Sequence, residues 1–97
     1  MGDQRERRDR PSPVRGAVGA ARRAGRRLAG LTGHRVEGVS AVCREENGWR
    51  VCVDVVEVPR IPDTTSLLAT YEVELDGDGR LLQYRRVRRY RRGSTDD

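Results

Sequence analysis

Side chains suited to base, thiol or soft-metal chemistry are few here: one histidine, His34, and two cysteines, Cys43 and Cys52. A nucleophilic triad needs a base held by a third group and aimed at a serine or cysteine. His34 follows a glycine with no such partner in a recognisable motif, and it reads as a surface histidine. The cysteines have neither CxxC nor CxxH spacing, which argues against zinc. A cross-strand disulfide between them needs an oxidising compartment and one particular strand register. Small thiols packed in a core are the preferred reading. Asp76-Gly77-Asp78-Gly79 brings two carboxylates together without the twelve-residue loop and terminal Glu of a calcium site, so it reads as a turn. Gly30-Leu31-Thr32-Gly33 lacks the Gly-Lys-Ser/Thr ending of a phosphate loop. No catalytic residue, metal site or cofactor is expected, and the chain is not read as an enzyme.

What the chain has in quantity is arginine, and every one of its cations is Arg. Residues 1–35 carry ten Arg against three acids, residues 36–79 three against ten, and residues 80–97 seven against two. The order basic, acidic, basic points to charged partners or to pairing between unlike patches. The densest run is Tyr84-Arg85-Arg86-Val87-Arg88-Arg89-Tyr90. Arginines interleaved with aromatics can bind nucleic acid through phosphates and stacked bases. No RNP-type aromatic motif is present, and the acidic middle would repel phosphates. On a regular strand, Arg86 and Arg88 share a face with Tyr84 and Tyr90, and Arg85 and Arg89 share one with Val87. The preferred use of these cations is pairing with Glu72, Glu74 and Asp76 on a neighbouring strand, at roughly 0.2–1 kcal/mol each.

The elements that must position these residues follow from periodicity. Residues 14–31 predict a helix with a narrow stripe of Val14, Val18, Ala21, Gly25 and Leu28, widened by Ala17, Ala20 and Ala24. Its glycines each cost roughly 1 kcal/mol against Ala, so it should need tertiary packing to persist. Four strands follow, at 35–45, 49–58, 67–76 and 80–91. Trp49, Val51, Val53 and Val55 form one face of the second; Ala69, Tyr71, Val73 and Leu75 form one face of the third. Asn47-Gly48 marks the first hairpin and allows two registers. A two-residue loop puts Cys43 opposite Cys52. A three-residue loop, Glu46 to Gly48, pairs Cys43, Ala41 and Val39 with Val51, Val53 and Val55 and points the cysteines to opposite faces. The second register has the cleaner apolar face and is preferred. Residues 59–66 form a linker with two prolines, and residues 77–79 a second hairpin turn. The expected architecture is α+β: an N-terminal helix packed on a four-stranded antiparallel sheet, with a cystatin-like or propeptide-like order.

Size and composition bound the rest. The 97 residues, 35% hydrophobic and without Phe, allow one domain with a modest core and leave little apolar surface to wall a catalytic pocket. Residues 1–13 are charged and proline-ended and are expected to be disordered; residues 14–92 form the domain and 93–97 a polar tail. There is no apolar run long enough for a membrane helix and no secretory leader pattern, so a cytoplasmic protein without membrane contact is expected.

Several short runs carry a family resemblance when taken together. They are Leu31-Thr32-Gly33, Glu37-Gly38-Val39-Ser40, Gly48-Trp49-Arg50-Val51, Glu57 and Arg60-Ile61-Pro62-Asp63-Thr64-Thr65, followed by Leu68-Ala69-Thr70-Tyr71-Glu72-Val73, Tyr84-Arg85-Arg86 and Arg89-Tyr90. Over about residues 28–92, and not over 1–13, the chain resembles the gas vesicle protein O family. Cys43 and Cys52 stand where the family is not expected to require them. The resemblance implies an accessory protein of gas vesicle formation, acting with the shell protein or other accessory proteins and carrying no catalytic residues. An interaction surface is expected at Arg60, Ile61, Pro62, Asp63 and Thr64 together with Tyr84, Arg85, Arg86, Arg88, Arg89 and Tyr90. The alternative is an arginine-rich nucleic-acid-binding regulator of the same gene cluster.

Overall fold

Alternation of apolar and polar residues is strongest in the middle two strands, and those strands become the centre of the sheet. The computed structural model describes residues 16–93. Helix α1 spans Gly16–Thr32, β1 Arg35–Glu45, β2 Gly48–Val58, β3 Leu67–Asp76 and β4 Leu81–Arg91, with a short 3-10 turn at Asp63–Thr65. The strands pair antiparallel in chain order, β1-β2-β3-β4, and the helix lies across one face. This is the expected α+β architecture. The expected disorder of residues 1–13, and most of the tail, lie outside the described residues.

The core lies between α1 and the two central strands. Val51, Val53 and Val55 of β2 and Ala69, Val73 and Leu75 of β3 are at most 1% exposed, and Trp49 closes one end. The helix meets them with Ala20, Ala24 and Leu28, one i, i+4 row of fully buried side chains. Two alanines let the helix approach closely, and Leu28 supplies most of its docking energy, about 2 kcal/mol. The stripe expected from the sequence is displaced: the sheet takes the Ala20–Ala24–Leu28 flank, and Val18 is left 66% exposed. Val14 lies outside the described residues. Gly33 ends the helix in the left-handed region, φ +76°, with its N–H donating to Ala29 O at 2.9 Å.

The first hairpin differs from both expected registers. Glu45 pairs with Gly48, Arg44 with Trp49, Cys43 with Arg50 and Val42 with Val51, so the loop is Glu46-Asn47. Neither loop residue takes a positive φ, so the left-handed preference of Asn-Gly is not used. Gly48 belongs to β2, where a Cβ would collide with the Leu75 carbonyl oxygen of β3. That close approach and the packing of Val42 against the core both fit this register. Consequently Cys43 and Cys52, paired with Arg50 and Ala41, lie on the same face, the one turned away from the helix, rather than on opposite faces. Both thiols are free; Cys43 is exposed and Cys52 half-buried, so neither is a core thiol. The second hairpin is the expected one: residues 77–79 form the loop, with Gly79 at φ +85° and its N–H donating to Asp76 O at 2.9 Å.

Candidate functional site

The two stretches expected to form an interaction surface are joined at one end by the fold. Arg60–Thr64 form an exposed loop in which the Ile61 side chain is fully exposed and the Ile61–Pro62 peptide is cis. The loop holds itself together: Arg60 N–H donates to Ser66 Oγ at 3.0 Å, and Thr65 Oγ1 donates to Pro62 O at 2.7 Å. It is also seamed to the end of β4. Gly93 N–H donates to Thr64 O and Arg92 N–H to Ser66 O, each at 2.9 Å. Arg92 Nε lies 2.9 Å from Asp63 Oδ2, close enough for an ion pair although its N–H direction makes no hydrogen bond. The same guanidinium forks onto Glu37 of β1 at 2.7 and 3.0 Å. Tyr90 therefore belongs to the loop's end of the strand. Tyr84 stands six residues away, about 20 Å along an extended chain, packed against Tyr71 with ring centroids 6.2 Å apart.

Residue by residue, β4 departs from simple alternation. Arg86 pairs with Tyr71 and Arg88 with Thr70, so Val87 is an extra residue, a bulge. One inserted residue reverses the faces beyond it. Tyr84, Arg86 and Arg89 therefore share the helix side, and Arg85, Arg88 and Tyr90 the other. This replaces the expected grouping of Arg86 with Arg88 and of Arg85 with Arg89. A second bulge, at Glu57 of β2, lies between the Val56 and Val58 pairings. The two irregularities bring three strands to one carboxylate. Glu57, its side chain only 6% exposed, lies 3.2 Å from Arg86 Nη1 and 3.1 Å from Arg89 Nε. It also accepts a hydrogen bond from Tyr71 Oη at 2.9 Å. His34 is half-buried beside it, with Nε2 4.0 Å from Glu57 Oε2, rather than freely on the surface. Burial pushes the Glu57 carboxyl up, but hydrogen bonds from Tyr71 and Arg86 outweigh it and hold the group below the usual carboxylate range.

Two further β4 arginines, Arg85 and Arg88, are also engaged. Arg85 donates twice to Glu72, at 3.0 and 3.2 Å, the expected cross-strand pair. Arg88 lies over the Tyr90 ring, 4.5 Å from its centroid. Glu74 sits opposite Gln83, and Asp76 turns its carboxylate to the Asp78 and Arg80 N–H groups, so these two acids do not take the expected arginines. The nucleic-acid reading loses its main sequence support, because three of the four arginines face carboxylates within the fold. Sequence reading missed Glu57, Tyr71 and Arg92 as organising residues. The only available signal was an isolated acid in an apolar strand, Val55-Val56-Glu57-Val58. Among the described residues no group of His, Cys, Asp and Glu is placed to hold a metal, and no helix is long and apolar enough to cross a membrane.

The molecule is thus a small antiparallel-sheet protein with a helical cover and a charge-braced basic edge. It belongs to the gas vesicle synthesis protein GvpO family, whose model matches residues 3–96, a wider span than the motifs at 28–92. It is 55% identical over 86 residues to gas vesicle protein O of a Streptomyces species, covering 89% of this chain and 64% of that protein. It is 39% identical over 67 residues to gas vesicle protein O1 of Halobacterium salinarum, covering 69% of this chain and 56% of the relative. Over 51 residues it is 39% identical to gas vesicle protein O of Haloferax mediterranei, covering 53% of this chain and 36% of that protein. The chain therefore spans less than two thirds of the length of these relatives. No solved structure gives a significant match.

Proposed function

We propose that this protein is an accessory factor in building gas vesicles, acting by protein–protein contact without catalysis, in the cytoplasm beside the growing vesicle. Its partners on this reading are other gas vesicle proteins. The observation that carries it is membership of a gas vesicle synthesis family across residues 3–96. The geometry supports contact as the mode of action. Among the described residues strand β4 has no neighbour on its outer side and no buried residue, and the residues after it are hydrogen-bonded to the loop that presents Ile61. An edge strand offers a partner a row of backbone groups, and flanking side chains give selectivity. The proposed surface is Arg60–Thr64 with the outward residues of β4.

The test is to purify the tagged protein from vesicle-forming cells, with and without nuclease, and to identify what accompanies it. Gas vesicle proteins that survive nuclease are the expected result. Nucleic acid alone, with no vesicle protein, would overturn the proposal. A paired variant, Ile61→Ser with Arg88→Ser, leaves the Glu57 cluster intact. It should reduce both recovery of the partner and vesicle yield, and normal vesicles from it would remove this surface from consideration.

A further inference from the structure

A second surface lies at the opposite edge of the sheet and does not rest on the surface proposed above. We infer that the groove between α1 and β1 docks an acidic amphipathic helix of a partner protein, about three turns long. The groove is shallow and open to solvent, with a volume of about 530 Å³. Its floor is Ala21, Gly25 and Ala29 of the helix with Val36 and Val39 of the strand. Val39 is 38% exposed, and Val18, 66% exposed, extends the same side by one helical turn. From Val18 to Ala29 the apolar path runs about 16 Å at the usual helical rise, the length of three turns.

The rim gives the groove its sign. Arg22, Arg26 and Arg35 line it, and among the described residues no acid does. Among the described residues none of these three guanidiniums lies within 4.0 Å of a carboxylate, whereas Arg50, Arg85, Arg86, Arg89 and Arg92 all do. Three exposed cations around an apolar floor favour an apolar stripe flanked by Glu or Asp and reject one flanked by Lys. The chain's own segment 1–13, with four Arg against three acids and few apolar residues, does not fit that description.

Two features favour a helix over an added strand. Edge strand β1 is interrupted by bulges at Glu37 and Ser40, which break the regular ladder a new strand needs. The floor, in turn, is built of small residues, which let a second helix axis come close. Gly25 is informative here. A Cβ on it would meet only Val36 Cγ1, at 3.9 Å, an ordinary contact. Internal packing therefore does not require glycine, although glycine costs the helix about 1 kcal/mol against alanine. Its absent side chain keeps the floor of the groove low.

The probe is a lactam-bridged helical peptide of about 14 residues, long enough for the three-turn path. It carries Leu at i, i+3/i+4 and i+7, with Glu on both flanks, and a second peptide has Lys in place of every Glu. Titrated into the isotopically labelled full chain, the Glu peptide should shift the amides of Ala21, Gly25, Ala29, Val36 and Val39. It should bind about tenfold or more tightly than the Lys peptide at low salt. The double variant Arg22→Glu/Arg26→Glu alters exposed positions, and it should reverse that preference. Arg35→Glu, on the other element, should weaken the Glu peptide without the helix being touched. No shifts at up to about 1 mM peptide, a range that captures even weak binding, would overturn the inference. So would equal binding of the two peptides, shifts that map to β4, or a preference unchanged in both variants.

Discussion

Strands β2 and β4 are each eleven residues long and lie in one sheet, yet they are held by different forces. In β2 the alternate residues Trp49, Val51, Val53 and Val55 are buried under the helix, and each fully buried Val contributes a couple of kcal/mol, about 1.5–3. In β4 no residue is buried, and Leu82, Val87 and Tyr84 are 61%, 45% and 39% exposed. Beyond its ladder, β4 is held by Leu81, half-buried against the core, by Tyr84 on Tyr71, and by a set of ion pairs to acids on the two central strands. Exposed pairs of that kind contribute little singly, about 0–1 kcal/mol. The sheltered carboxylate of Glu57 is the exception, since it gathers Arg86, Arg89 and Tyr71 in one place. The core thus fixes the middle of the sheet, and polar anchors add to a few apolar contacts in holding the basic edge.

The sharpest way to break this comparison is the same substitution in both strands. Val53→Ala should cost about 2–3 kcal/mol in a denaturant titration, from lost transfer energy and an unfilled cavity. Val87→Ala, at an exposed bulge, should cost about 0.5 kcal/mol or less. Equal costs would mean that β4 is packed against something the fold does not show.

A smaller effect is expected at the anchor. Glu57→Gln keeps the shape and removes the charge, and should cost about 1.5 kcal/mol, the low end for charge-assisted hydrogen bonds because both guanidiniums are about half exposed. The sign of its pH dependence follows from the depressed carboxyl. The charged form is favoured in the fold, so its contribution is complete above the unfolded pKa of about 4.3 and is lost as pH falls through the lower folded value. The gap between wild type and Glu57→Gln should hold from neutral pH to about 5 and shrink progressively as pH falls through the lower folded value. A gap that widens in acid would invert the assignment. A comparably small effect is expected from Arg85→Ser, whose guanidinium is 69% exposed beside Glu72. It should cost below about 1 kcal/mol, and less in high salt.

Much of the architecture was legible because burial writes itself into the sequence at a fixed period. The alternation in β2 and β3, the Gly33 helix end and the Gly77–Gly79 turn all appear where those residue types require them. The first hairpin was not legible, because Asn47-Gly48 is a strong local turn signal that the sheet overrides. Gly48 is needed where β2 passes the Leu75 carbonyl, a demand that comes from a residue 27 positions away. The faces of β4 were misread for a related reason. The bulge at Val87 leaves no local mark, and every side chain beyond it changes sides.

By itself the sequence determined the element order, the apolar faces of the central strands, the basic–acidic–basic distribution of charge and the family. Each depends on residue type and near-neighbour spacing, which the chain carries directly. Only the tertiary structure decided the hairpin register, the shared face of Cys43 and Cys52, the gathering of Arg86, Arg89 and Tyr71 on Glu57, and the arginine-rimmed groove beside β1. These depend on inserted residues and on contacts between strands distant in sequence. A one-residue shift there exchanges the two faces of a strand, and no local preference is strong enough to fix it.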